Sequence, residues 1–84
     1  MKITADQLRA ARALLDMSQP ELARRAKVSV PTVKRCESNI SKAKVAAETR
    51  EALIAALQNA GVEFTNGDTP GVRFVGMRKS KAGR

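Results

Sequence analysis

The sequence predicts a mainly α fold: a compact group of four helices, then a β-hairpin, then a short basic tail. Two observations lead there. The first is a helix-start pattern that occurs three times between Ile3 and Val33: an apolar residue, a Ser or Thr cap, two residues, then Gln, Glu or Thr followed by an apolar residue. The second is a change of period. Apolar residues recur at helical spacing up to Gly61 and at every second position beyond it. At 84 residues the chain has room for one domain with a small core.

The first helix starts at Ile3-Thr4-x-x-Gln7-Leu8, where Thr4 caps, Gln7 reaches back and Ile3 staples onto Leu8. Its apolar face is Leu8, Ala11 and Leu15, with Leu14 alongside. Asp16 tolerates the left-handed conformation that ends such helices, so the element should run from Ala5 to Leu15.

Met17-Ser18-x-x-Glu21-Leu22 repeats the device: Ser18 caps, Glu21 completes a capping box, and Pro20 costs little in the first turn. The third copy is Val28-Ser29-x-x-Thr32-Val33, again with a proline, Pro31, in the first turn. Leu22, Ala23 and Ala26 form one apolar face, and Val30, Val33 and Cys36 form the next. Only Lys27-Val28-Ser29 separates them, so the two helices must cross steeply with Val28 in the corner and small Ala23 at the closest approach. Gln19–Ser38 therefore reads as a helix-turn-helix, with Asn39 as a left-handed terminus for its second helix.

A fourth helix carries Arg50, Leu53, Leu57 and Ala60 on one stripe with Ile54 beside it, starting somewhere from Ser41 to Ala47 and ending at Gly61. Val62-Glu63-Phe64 and Val72-Arg73-Phe74-Val75 then alternate across a turn-rich stretch. An Asn66-Gly67 turn would oppose Glu63 to Pro70. A longer loop opposes Phe64 to Val72, Glu63 to Arg73 and Val62 to Phe74, and this register is favoured because it gathers the four apolar residues on one face and an ion pair on the other. A lone hairpin is marginal in water. Cover is expected from the fourth helix, from the same strand of a second subunit, or from both. The chain thus divides into residues 1–61, a helix-turn-helix domain with its motif at 19–38; residues 62–76, a hairpin for packing or dimerisation; and residues 77–84, a basic disordered tail.

Composition narrows the function. Sixteen Lys and Arg against 8 Asp and Glu give a net charge of +8, which favours a polyanionic partner, nucleic acid first. A membrane is disfavoured by the lack of a long apolar run, and a signal-peptide core is missing, so a cytoplasmic, nucleoid-associated location is expected. The chain has no histidine, which excludes His-based acid-base catalysis and His-ligated metal; its single cysteine excludes a thiolate zinc site. Cys36 reads as a buried thiol packed as a small hydrophobe, ahead of a redox sensor. No phosphate-binding glycine loop occurs, and nothing argues for an enzyme, a cofactor or a small-molecule effector.

Ser18-Gln19-x-Glu21-Leu22-Ala23, Val28-Ser29, Thr32-Val33 and Arg35-x-Glu37 resemble the Cro/CI-type helix-turn-helix of phage and bacterial transcriptional repressors. The resemblance covers roughly the first two-thirds of the chain. It implies that the second helix of the motif enters the major groove, and that Val30, Pro31, Thr32, Lys34 and Arg35 read bases. Arg35 is the strongest reader, because a guanidinium donates two hydrogen bonds to guanine O6 and N7. Phosphate contacts fall to Gln19, Lys27, Ser29, Asn39, Lys42 and Lys44, with Arg78, Lys79 and Lys81 of the tail as further contacts. Lys27 departs from the pattern: it stands at the turn position where this family usually has glycine, and a left-handed lysine costs about 1 kcal/mol.

The expected function is that of a small homodimeric repressor binding double-stranded DNA, with the 62–76 hairpin either its pairing edge or only packed on the fourth helix. Two other classes stay open: an interaction protein of antitoxin or anti-activator type, and an architectural DNA binder without sequence preference.

Overall fold

The computed structural model describes residues 3–38, 45–65 and 69–76. Helix α1 (Ala5–Leu15) begins at a complete capping box: Thr4 Oγ1 accepts the Gln7 N–H at 3.1 Å, and Gln7 Oε1 accepts the Thr4 N–H at 2.9 Å. Ile3 and Leu8, the expected staple, are both buried. Asp16 ends the helix in the left-handed region at φ 53°, its N–H bonded to the Ala13 carbonyl.

Helix α2 (Gln19–Ala26) is capped by Ser18 Oγ, which accepts the Glu21 N–H at 3.2 Å. The expected capping box is not completed. The Glu21 carboxylate turns along the helix to Arg25, whose Nε lies 3.1 Å away, because a charged donor one turn on outbids a backbone amide at an exposed site.

Helix α3 (Val30–Cys36) is capped by Ser29 Oγ on the Thr32 N–H at 3.2 Å. It stops before the predicted terminus and without a left-handed residue, since Glu37 closes it at φ −93°. The Ser38 N–H donates to the Arg35 carbonyl at 3.3 Å, and the Arg9 guanidinium donates to the Glu37 carbonyl just beyond the helix. Asn39 lies outside the described residues.

Helix α4 (Ala47–Ala60) starts at Ala46 without a side-chain cap, at the late end of the expected range. Arg50 Nη1 donates to the Ile3 carbonyl at 2.7 Å and so ties this helix to the start of α1. Leu53, Ile54, Ala56, Leu57 and Ala60 are buried. Gly61, at φ 125°, ends the helix where a Cβ would stand 2.6 Å from the Gly76 carbonyl oxygen, so only glycine fits.

Strands β1 (Val62–Thr65) and β2 (Gly71–Phe74) pair antiparallel in the favoured register, with Val62 opposite Phe74, Glu63 opposite Arg73 and Phe64 opposite Val72. The Glu63–Arg73 pair closes at 2.6 Å on the outer face. The inner face differs from expectation in two ways. Its cover comes from α1, which lies along β2, as well as from α4 along β1. The cover also stops short of Phe74, which is 56% exposed, because α1 and α4 both end beside it at Leu15 and Ala60. Leu14, expected beside the apolar face, is exposed there as well.

The core is built from the four helices and β1, with half-buried Val72 of β2 packed against it: Ile3, Leu8, Leu22, Val33, Leu53, Leu57 and Val62 are the large side chains withdrawn fully from solvent. Each contributes about 1.5–3 kcal/mol by burial. Gln7, also buried, donates from Nε2 to the carbonyls of Thr65 at 2.9 Å and Gly71 at 3.0 Å, which pins α1 to the loop end of the hairpin.

Candidate nucleic-acid interface

The face that α3 shows to solvent follows from the one it buries. Val33 and Cys36 are in the core and Val30 packs partly against it, which turns Pro31, Lys34 and Arg35 outward. These three stand at i, i+3 and i+4 and form one stripe. No carboxylate occurs between Val30 and Cys36, so nothing on the helix offsets the charges of Lys34 and Arg35. Thr32 is half-buried beside it, and Val30 divides its surface between the core and the helix start.

The turn that aims α3 is held by backbone bonds from Lys27 N–H to the Arg24 carbonyl and from Val28 N–H to the Ala23 carbonyl, with Val28 packed on the core. Lys27 adopts the left-handed conformation at φ 62°, as its position in the motif requires, and its side chain is exposed. Buried Leu22 and Ala23 of α2 and Val33 of α3 then lock the crossing.

Hydroxyl groups organise the start of the stripe. Ser29 Oγ and Thr32 Oγ1 share a hydrogen bond at 2.8 Å, and Arg35 Nη2 donates to Thr32 Oγ1 at 3.3 Å. Arg35, the residue best suited to guanine, is thereby attached to its own helix through Thr32.

A buried ion pair braces the motif from behind. Arg12 of α1 donates to Glu37 through Nε at 2.6 Å and Nη2 at 2.9 Å, and Gln19 Nε2 donates to the same carboxylate at 3.0 Å. A third bond from Arg12, Nη1 to the Met17 carbonyl at 2.9 Å, includes the α1–α2 corner. This gives Gln19 a structural role: one of its two amide hydrogens is spent on Glu37.

Sequence reasoning missed Arg12 and Glu37. The signal was present: Arg12 stands four residues after Leu8 and Glu37 four after Val33, so each charge lies on an apolar stripe. Of the other predicted contacts, Ser29 is exposed and serves as the α3 cap. Lys42 and Lys44, like Asn39, lie outside the described residues, as do Arg78, Lys79 and Lys81 of the tail.

Burial pushes the Cys36 thiol above its ordinary range, against the lowering effect of Arg50 and Arg35. Among the described residues no His, Cys, Asp and Glu side chains group to hold a metal ion. No protein-family model and no curated protein matches this sequence. Among the described residues, too, no helix is long and apolar enough to cross a membrane.

Proposed function

We propose that this protein is a sequence-specific DNA-binding regulator of transcription, a small homodimeric repressor that reads the major groove with α3. The observation that carries the reading is the Pro31, Lys34 and Arg35 stripe: exposed, free of carboxylates, and backed by a buried stripe that fixes its direction. A helix of this kind fits the width of the major groove. The net charge of +8 and the resemblance to the Cro/CI-type motif support the same conclusion.

In this reading Arg35 donates to guanine O6 and N7, and Lys34 reaches a base or a phosphate. Pro31, the exposed part of Val30 and the Thr32 methyl offer apolar contact to thymine. Gln19, Lys27 and Ser29 hold phosphates, joined by the basic residues of 39–44 and of the tail. In this reading the protein acts by binding alone, without catalysis, cofactor or small-molecule effector, on the nucleoid in the cytoplasm.

The second subunit docks at the hairpin. Val75 N–H donates to the Gly61 carbonyl, so Gly61, Glu63 and Thr65 bond inward to β2 and the alternation turns the N–H and C=O of Val72 and Phe74 to the outer edge. A strand edge with outward N–H and C=O groups, next to exposed Phe74 and Val75, can pair with another copy of itself about a two-fold axis.

The test is selection from a pool of randomised duplexes at physiological salt, followed by footprinting on the selected site. A two-fold-related site bound at least a hundredfold above random DNA is expected. Equal affinity for selected and random duplexes removes sequence specificity and leaves an architectural binder.

A further inference from the structure

We propose that Thr32 is a positioning residue for Arg35, so that base discrimination by α3 depends on a hydroxyl that need not itself touch a base. The inference rests on the reading of Arg35 as the guanine-contacting residue. Its basis is the hydrogen-bond chain Ser29 Oγ to Thr32 Oγ1 at 2.8 Å and Thr32 Oγ1 to Arg35 Nη2 at 3.3 Å.

The hydrogens decide what this chain does. An arginine presents two edges with paired donors, Nη1 with Nη2 and Nε with Nη2, and either can engage guanine O6 and N7. Nη2 carries one hydrogen for each edge. Once Thr32 Oγ1 accepts one of them, one edge is occupied and the other remains complete. The guanidinium is thus restricted to a single two-donor presentation. An unattached arginine at this exposed position would sample many rotamers, and binding would have to order them.

Thr32 is itself held. Its N–H donates to Ser29 Oγ at 3.2 Å and its hydroxyl shares a bond with the same oxygen, so the cap of α3 orients Thr32 as Thr32 orients Arg35. Thr32 is half-buried at the first turn, which limits its own freedom further. Lys34 has no place in this chain and contributes charge without the same direction.

The experiment measures relative affinity of the full chain for the selected duplex and for its single base-pair variants, in the parent, Arg35→Ala, Thr32→Val, Thr32→Ser and the Arg35→Ala/Thr32→Val double variant. Arg35→Ala identifies the base pair that Arg35 reads. Thr32→Val is expected to lose roughly tenfold of the discrimination at that same base pair, with melting temperature little changed. Thr32→Ser, which keeps the hydroxyl, should retain the preference, and Thr32→Val should add nothing on the Arg35→Ala background. Full discrimination in Thr32→Val, loss at the Arg35 base pair in Thr32→Ser, or a Thr32→Val loss confined to a different base pair overturns the inference while leaving Arg35 as a reader. Uniform weakening by Arg35→Ala across all sequences overturns the reading itself.

Discussion

The guanidinium of Arg12 and the carboxylate of Glu37 meet in a two-pronged ion pair, 2.6 Å and 2.9 Å, that joins α1 to the end of α3. The Glu37 side chain is only 3% exposed. A carboxylate withdrawn from water in this way is stable only while its donors remain. Arg12→Met should therefore destabilise the protein by about 3 kcal/mol, read from the urea midpoint. Arg12→Met/Glu37→Leu, which removes both charges, should recover most of that loss. A double variant as unstable as Arg12→Met would show that packing by the arginine stem, and not the stranded charge, carries the effect.

Lys27 holds a left-handed backbone that glycine would adopt without steric cost. Lys27→Gly should raise stability by up to about 1 kcal/mol, while lowering DNA affinity and reducing the slope of log affinity against log salt by about one. An unchanged melting temperature would sink the strained-turn account. An unchanged salt slope would remove Lys27 from the phosphate contacts.

Phe74 is more than half exposed, so Phe74→Lys should change the stability of the isolated fold by no more than about 0.5 kcal/mol. At the proposed dimer edge its effect is large: sedimentation equilibrium should report the parent as a dimer and the variant as a monomer, with weaker binding to a two-fold site. A parent that is monomeric at high concentration, or a variant that remains dimeric, counts against the hairpin edge as the interface.

Cys36 gives a pH dependence of known sign. Its folded thiol is pushed up by burial, so the unfolded chain ionises first as pH rises. The contribution is complete below the ordinary thiol range and is lost as pH climbs from there toward the raised folded value. Parent stability should fall more steeply than that of Cys36→Ala across this alkaline window, with the two slopes equal at neutral pH. Equal slopes throughout would mean that the thiol ionises alike in both states.

Much of this molecule is local and therefore legible in the sequence. The caps at Thr4, Ser18 and Ser29, the left-handed ends at Asp16 and Lys27, and the Glu63–Arg73 register depend on residues within a turn or on the two sides of one hairpin. The outward stripe of α3 follows in the same way, because apolar spacing on a short helix defines its opposite face. Other features required the folded chain. Nothing local tells Arg12 that its partner is Glu37, 25 positions away, or tells Gln7 to bridge Thr65 and Gly71, 58 and 64 positions away. Those choices are made when buried faces meet, since a polar group drawn into the core must take whatever partner lies within reach. The exposure of Phe74 belongs here too. Strand alternation assigns its side, but the lengths of α1 and α4, ending together at Leu15 and Ala60, leave it more than half exposed among the described residues.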